Sequence, residues 1–125
     1  MDVTPYIKSD SRIIQSYSDT GFQISKTRFE TPVIVFRDRV ESLTGITSPE
    51  ELNEAILSPV LENEADLDLV LIGMGKDFYL LPDNLQQRFA QAGIGVEVMD
   101  TGAACRTYNV LLAESRRLAA VLFPA

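Results

Sequence analysis

The stretch that decides the fold runs from residue 96 to residue 117 and reads VEVMDTGAACRTYNVLLAESRR. Its start, with residues 95–99, has the β-branched content of a strand, whereas apolar residues recur at helical spacing from Ala104 onward. Asp100, Thr101 and Gly102 lie between the two patterns, and either Asp100 or Thr101 can cap the helix. The stretch therefore predicts a strand that leads directly into a helix. Residues 99–109 are called the seam below.

The remaining elements follow from turn residues, caps and apolar periodicity. Residues 11–44 are predicted to form two hairpins that turn at residues 18–21 and 37–39. A helix then begins at Ser48 and is ended near Leu57 by Pro59, and a strand covered on both faces follows over residues 67–72. A second helix is opened by Pro82 and closed by Gly93, and a final strand covers residues 118–123. This alternation of strands and helices favours a single α/β domain over residues 1–125, with a mixed sheet covered by helices.

The composition excludes several kinds of site. The 125 residues include no histidine, which removes the usual zinc sites and every Ser-His or Cys-His catalytic pair. Cys105 is the single cysteine and excludes an internal disulfide, and its helical position predicts a buried, inert thiol. No spacing pairs two catalytic groups and no calcium-loop pattern occurs, so we predict no catalytic residue, no metal and no cofactor.

Charge and hydropathy restrict the partners and the compartment. The net charge is −7, and residues 41–68 carry eight acidic side chains with no Lys or Arg. This segment disfavours nucleic acid as a partner, and it is either a solvated surface or an acidic docking surface.

We predict a protein that does not span the membrane, since no apolar run is long enough. Without a secretory or transit segment at the N-terminus, a cytoplasmic location is expected.

A glycine-rich loop follows the buried strand and reads Gly73-Met74-Gly75-Lys76. Ligands often bind where strands of an α/β sheet end. A dinucleotide fingerprint, however, needs glycine where Phe78 stands, and a phosphate-binding P-loop needs glycine where Val70 stands. The loop is therefore either a turn with unusual backbone angles or a ligand loop of another kind.

The seam offers a second candidate site. The amides of residues 102–104 form the positive end of a helix, and Arg106 lies one turn further on, an arrangement that suits an anion. Asp100 can instead occupy that position itself. Tyr108 falls on the apolar face and is predicted to be core, whereas Arg106 and Asn109 are the better candidates for contacts.

The seam also carries a family resemblance. Residues 93–109, followed by Leu111, Glu114 and Arg116, and more loosely residues 73–75 and Pro82, resemble the signature of a family of small, mostly uncharacterised prokaryotic α/β proteins. The mitochondrial respiratory complex I assembly factor 3 is its eukaryotic branch. The resemblance implies a three-layer sandwich with a central mixed sheet, helices on both faces and an added N-terminal hairpin. It implies no established activity for the family as a whole. For the mitochondrial branch it implies a role in assembly by protein contact rather than by known catalysis, and the role of the prokaryotic members is unsettled.

The absence of an organellar presequence makes the chain resemble a bacterial member, although it lacks the tryptophan expected in the hairpin region. We therefore predict a non-enzymatic binding or assembly-type domain that engages a protein partner or a small anionic ligand, and contact with a membrane-bound complex stays open. An uncharacterised enzyme or anion binder using the same cleft is the alternative. The cleft is predicted where the loop meets the seam, and its residues are Gly73, Met74, Gly75, Met99, Asp100, Thr101, Gly102, Arg106, Tyr108 and Asn109.

Overall fold

The computed structural model describes residues 11–77 and 79–125. Over these ranges the chain forms eight strands, three α-helices and two short 3₁₀ turns at Pro49–Glu51 and Glu64–Asp66. The strands are β1 (Ile14–Ser18), β2 (Gly21–Ile24), β3 (Thr27–Phe29), β4 (Val33–Val35), β5 (Val40–Ser42), β6 (Leu69–Gly73), β7 (Gly95–Met99) and β8 (Leu118–Leu122). The helices are α1 (Ser58–Leu61), α2 (Asp83–Ala92) and α3 (Thr101–Ala113).

Two sheets are present. The larger has the order β5-β4-β8-β6-β7, in which β6 pairs parallel with both β8 and β7 while β4 pairs antiparallel with β8 and β5. The smaller is the antiparallel meander β1-β2-β3. All five residues of β8 are buried, as expected for a central strand covered on both faces.

The large sheet separates two apolar cores. On one face Ile72 packs in a cluster with Phe89 of α2 and Val60 of α1. On the other face Leu71 packs with Tyr108 of α3 and with the small sheet. This confirms the predicted α/β fold with a mixed central sheet and helices on both faces. No helix of residues 11–77 and 79–125 is long and apolar enough to cross a bilayer.

The first third of the chain contains one strand more than predicted. The first hairpin turns at Ser18 to Gly21, as expected, but β3 then adds a third strand beside β2. The second hairpin, β4–β5, is confirmed. The added N-terminal hairpin of the prediction is therefore a three-stranded sheet, which contacts α3 through β1.

The predicted helix over 48–57 is wrong. Its capping box forms, with the Glu51 carboxylate accepting hydrogen bonds from the amides of Thr47 at 2.6 Å and Ser48 at 3.1 Å. These bonds lower the pKa of Glu51. The turn ends because Leu52 adopts an extended conformation with ψ 136°. Pro59 then lies in the first turn of α1, where its missing N–H costs nothing, and so starts a helix rather than ending one.

Candidate functional site

Asp100 caps α3. Its backbone is extended, with φ −66° and ψ 159°, and its carboxylate accepts a hydrogen bond from the Ala103 amide at 2.8 Å. Of the two capping residues that the sequence allowed, Asp100 is the one used. A carboxylate now lies where an anion would meet the helix start, so like charges would oppose its binding.

Thr101 joins the seam to the glycine loop. Its hydroxyl oxygen accepts a hydrogen bond from the Gly75 amide at 2.7 Å and donates one to the Phe123 carbonyl at 2.6 Å. Its own amide donates to the Gly75 carbonyl at 3.1 Å. Thr101 is 0% exposed, so these bonds are shielded from water. The loop and the seam are therefore held together as one unit.

The glycines let the two segments approach closely. A Cβ on Gly73 would lie 3.0 Å from the Thr101 Cα and 3.1 Å from the Ala104 Cβ. Gly75 has φ +80°, the unusual backbone angle that the sequence suggested for this loop. The two bends thus approach each other closely at these residues.

The outer side of the seam carries an exposed polar pair. The Arg106 guanidinium donates a hydrogen bond from Nη1 to the Tyr17 hydroxyl at 2.7 Å. Gly102 is buried beneath this pair, and a Cβ there would lie 2.9 Å from the Tyr17 hydroxyl. Val110, one helical turn beyond Arg106, is 58% exposed. Tyr17, Arg106 and Val110 are called the α3 outer face below.

Two other seam residues support the fold. The Asn109 side chain accepts a hydrogen bond from the Ile14 amide at 3.1 Å and donates one to the Ile14 carbonyl at 2.8 Å. Tyr108 is 0% exposed and donates from its hydroxyl to the Phe36 carbonyl at 3.3 Å. Burial raises the pKa of its phenol. Asn109 thus anchors β1 to α3, and Tyr108 is core as predicted.

Cys105 is buried, as predicted, with 2% of its surface exposed. Burial raises the pKa of its thiol to about 12, against a smaller opposing influence of Arg106. The thiolate is the reactive form of cysteine, so this side chain is inert at neutral pH. Within residues 11–77 and 79–125, no group of three or more Cys, Asp or Glu side chains is placed to hold a metal ion.

The structure brings the predicted seam and loop residues together, but it divides them by role. Asp100 and Arg106 are exposed, and Met99 and Asn109 are partly buried. The other six are buried: Gly73, Met74, Gly75, Thr101, Gly102 and Tyr108. Sequence reasoning missed Tyr17 as a partner of Arg106, and no spacing signals a contact across 89 residues. A signal did exist for Asn109, because asparagine disfavours helix interiors unless its side chain is used.

Residues 14–123 match the model of a family described as "Protein of unknown function (DUF498/DUF598)". The chain belongs to this family. The match covers the seam, the glycine loop and both sheets, and it confirms the resemblance found in the sequence.

The chain is also similar to a protein named as an assembly factor. The chain is 33% identical over 111 residues to mouse "NADH dehydrogenase (ubiquinone) 1 alpha subcomplex assembly factor 3", an alignment that covers 89% of this chain and 60% of the relative. The chain therefore spans somewhat less than two thirds of the length of that relative.

Solved structures share the fold. A Bartonella henselae crystal structure described as an outer membrane protein has a TM-score of 0.84 and 31% identity, over 95% of this chain and 98% of that one. A Bordetella parapertussis crystal structure has a TM-score of 0.83 and 29% identity, over 94% of this chain and 98% of that one.

Proposed function

We propose that this chain is a non-enzymatic, assembly-factor-type domain that binds a protein partner through the α3 outer face. The relatives named as assembly factors support the general role. The observation that carries the specific proposal is the exposed hydrogen bond between Arg106 and Tyr17 beside Val110. Arginine and tyrosine are enriched among the residues that dominate protein–protein interfaces.

The geometry prepares this face for a partner. The Tyr17 hydroxyl holds the Arg106 guanidinium in place, so less side-chain entropy is lost on binding. The salt bridges formed within residues 11–77 and 79–125 do not include Arg106, so its remaining N–H groups can donate to a partner. Val110, 58% exposed, adds apolar area next to these donors. A polar anchor beside exposed apolar surface is typical of protein interfaces.

The enzyme and small-anion alternatives have less support. Both need a cleft between the glycine loop and the helix start, and Gly73 and Gly75 lie close against Thr101, which leaves little room at these residues. The carboxylate of Asp100 would also repel an anion there.

We further propose that the protein works in the cytoplasm, since a free, buried Cys105 suits a reducing compartment. We also propose that nucleic acid is not its partner, because the net charge of −7 disfavours binding to a polyanion.

Replacing Arg106 with Ala tests this function. We expect recovery of the native partner in pull-downs from the source cell to fall about tenfold or more, because an interface anchor is lost. The melting temperature should stay within about 2 °C, because the side chain is exposed. Arg28→Ala is a matched control, since Arg28 is also exposed and also donates to a hydroxyl, that of Thr20. Equal losses from both variants would contradict the proposal.

Gly102→Ala perturbs the same face without removing a functional group. The new methyl would lie 2.9 Å from the Tyr17 hydroxyl and 3.2 Å from Arg106 Nη1, so both side chains must shift, while alanine favours the helix. We therefore expect weaker partner recovery at unchanged or slightly higher stability. Full recovery with this variant and with Arg106→Ala would show that the α3 outer face is not the binding surface.

A further inference from the structure

β7 is an edge strand of the large sheet. It pairs with β6 on one side, and no described strand lies on its other side. The Gly95 amide donates to the Asp68 carbonyl at 2.8 Å, and the Met99 carbonyl accepts from the Met74 amide at 2.9 Å. Residues 95, 97 and 99 thus direct their backbone groups towards β6, so Val96 and Val98 direct theirs outward by alternation.

This edge is little protected. Proteins usually guard exposed edges with proline, lysine, a bulge or a covering segment. β7 reads Gly-Val-Glu-Val-Met and keeps a continuous register with β6. Within the described part of the chain, no donor or acceptor pairs with the backbone of Val96 or Val98 on the outer side. The only charged side chain on the strand is Glu97.

An apolar groove of about 380 Å³ runs beside the edge, between α2 and β7. The side chains of Val96 and Val98 form one wall, since both pack on the α2 side of the sheet. Phe89 and Ala90 of α2 form the other wall. Leu80, at one end, is 80% exposed, an unusual position for so large an apolar side chain. Unpaired backbone groups and an adjacent apolar groove are the two features that strand addition uses.

We propose that the β7 edge is a docking site for an extended segment of a partner protein, which adds a sixth strand to the large sheet. Alternate apolar side chains of the segment fill the groove beside Val96 and Val98. The intervening side chains lie on the opposite face, next to the exposed Glu97, and are basic.

Charge also argues against a second copy of this chain as the occupant. In an antiparallel pairing of β7 with itself centred on the strand, Glu97 would face the Glu97 of the other copy. Like charges directly opposite each other destabilise a sheet. This inference goes beyond the proposed function, because it concerns the β7 edge rather than the α3 outer face and does not depend on Arg106.

The test uses the full ¹⁵N-labelled chain and a synthetic nine-residue peptide of alternating valine and lysine, with blocked termini. We expect saturable chemical-shift changes confined to the groove and the edge strand, at residues 79–81, 86–90 and 94–99, with slower hydrogen exchange of the Val96 and Val98 amides. Two control peptides carry N-methyl groups on all valines or on all lysines. In an added strand, the N–H groups of one residue type point towards β7 and those of the other type point away from it. The peptide methylated on the first type should therefore lose binding, and the peptide methylated on the second type should keep it. No saturable shifts, or shifts elsewhere, would overturn the proposal.

A second experiment reverses the charge at residue 97 and in the peptide. Glu97→Lys should weaken binding of the valine–lysine peptide about tenfold and allow binding of a valine–glutamate peptide, whereas Arg106→Ala should leave peptide binding unchanged. If the charge exchange has no effect on peptide binding, the β7 proposal fails, whereas the proposal for the α3 outer face is not affected. If Val96 and Val98 are already protected without peptide, and sedimentation shows a dimer that Val98→Lys dissociates, the occupant is a second copy and the proposal is wrong.

Discussion

Replacing Thr101 with Val is expected to lower the free energy of unfolding by about 2–5 kcal/mol, because two buried hydrogen-bonding groups lose their partner. The Gly75 amide would no longer find an acceptor at 2.7 Å, and the Phe123 carbonyl would no longer find a donor at 2.6 Å. Valine has nearly the shape of threonine, so packing around the 0% exposed site is preserved. The loss therefore reports on the hydrogen bonds alone.

Urea unfolding at 25 °C, with the slope of the transition compared between variants, measures this change. Thr101→Ser is the control, because serine keeps the hydroxyl and removes only a methyl group. It should cost about 1 kcal/mol or slightly more. A loss below about 0.5 kcal/mol for Thr101→Val would show that these bonds do not hold the loop and the seam together.

The second large effect is expected from Asn109→Asp, at about 1–3 kcal/mol of unfolding free energy. The carboxylate can still accept from the Ile14 amide, but it cannot donate to the Ile14 carbonyl, which lies 2.8 Å from the present Nδ2. Two oxygens would then face each other at a partly buried site. The expected consequence is a weakened anchor between β1 and α3, with faster hydrogen exchange in β1.

The pH dependence of the unfolding free energy of Asn109→Asp tests this explanation. Protonated aspartic acid has an O–H that can donate to the Ile14 carbonyl, so the folded state favours the protonated form and raises the pKa of the new carboxyl. The destabilisation relative to the natural chain should therefore be full above that pKa and shrink as the pH falls through it. Gln87→Glu, an exposed change of the same chemistry on α2, is the control and should cost little. A pH-independent loss would contradict this explanation.

Together these predictions assign the two main groups of seam residues to different tasks. Thr101, Asn109 and the glycines of the loop hold three segments of the chain together. Arg106, exposed and hydrogen-bonded to Tyr17, is the residue that we propose for partner contact. On this proposal, most of the seam maintains the fold and Arg106 alone serves partner contact. The comparison of Arg106→Ala with Thr101→Val separates these roles experimentally, since only the second should lower stability.

Much of the fold could be predicted from local patterns. The strand of residues 95–99, the helix cap and α3 follow one another within a short stretch, so period and capping residues suffice to place them. The same holds for α2, which ends at Gly93 with φ 74°, and for the buried strand β8. The helix predicted over 48–57 shows the limit. Its capping box forms as predicted, but Leu52 has an extended backbone and packs in the apolar core, so the helix does not continue past it.

The sequence by itself therefore determined most of the elements, the absence of histidine chemistry and the acidic character of the protein, because these depend on composition and on neighbours along the chain. Only the tertiary structure decided that Asp100 rather than Thr101 caps α3, that Thr101 joins the loop, and that Arg106 meets Tyr17. The physical reason is sequence distance. The hydrogen bonds that close the seam join residues 22 to 95 positions apart, and no periodicity along the chain records which of them will meet.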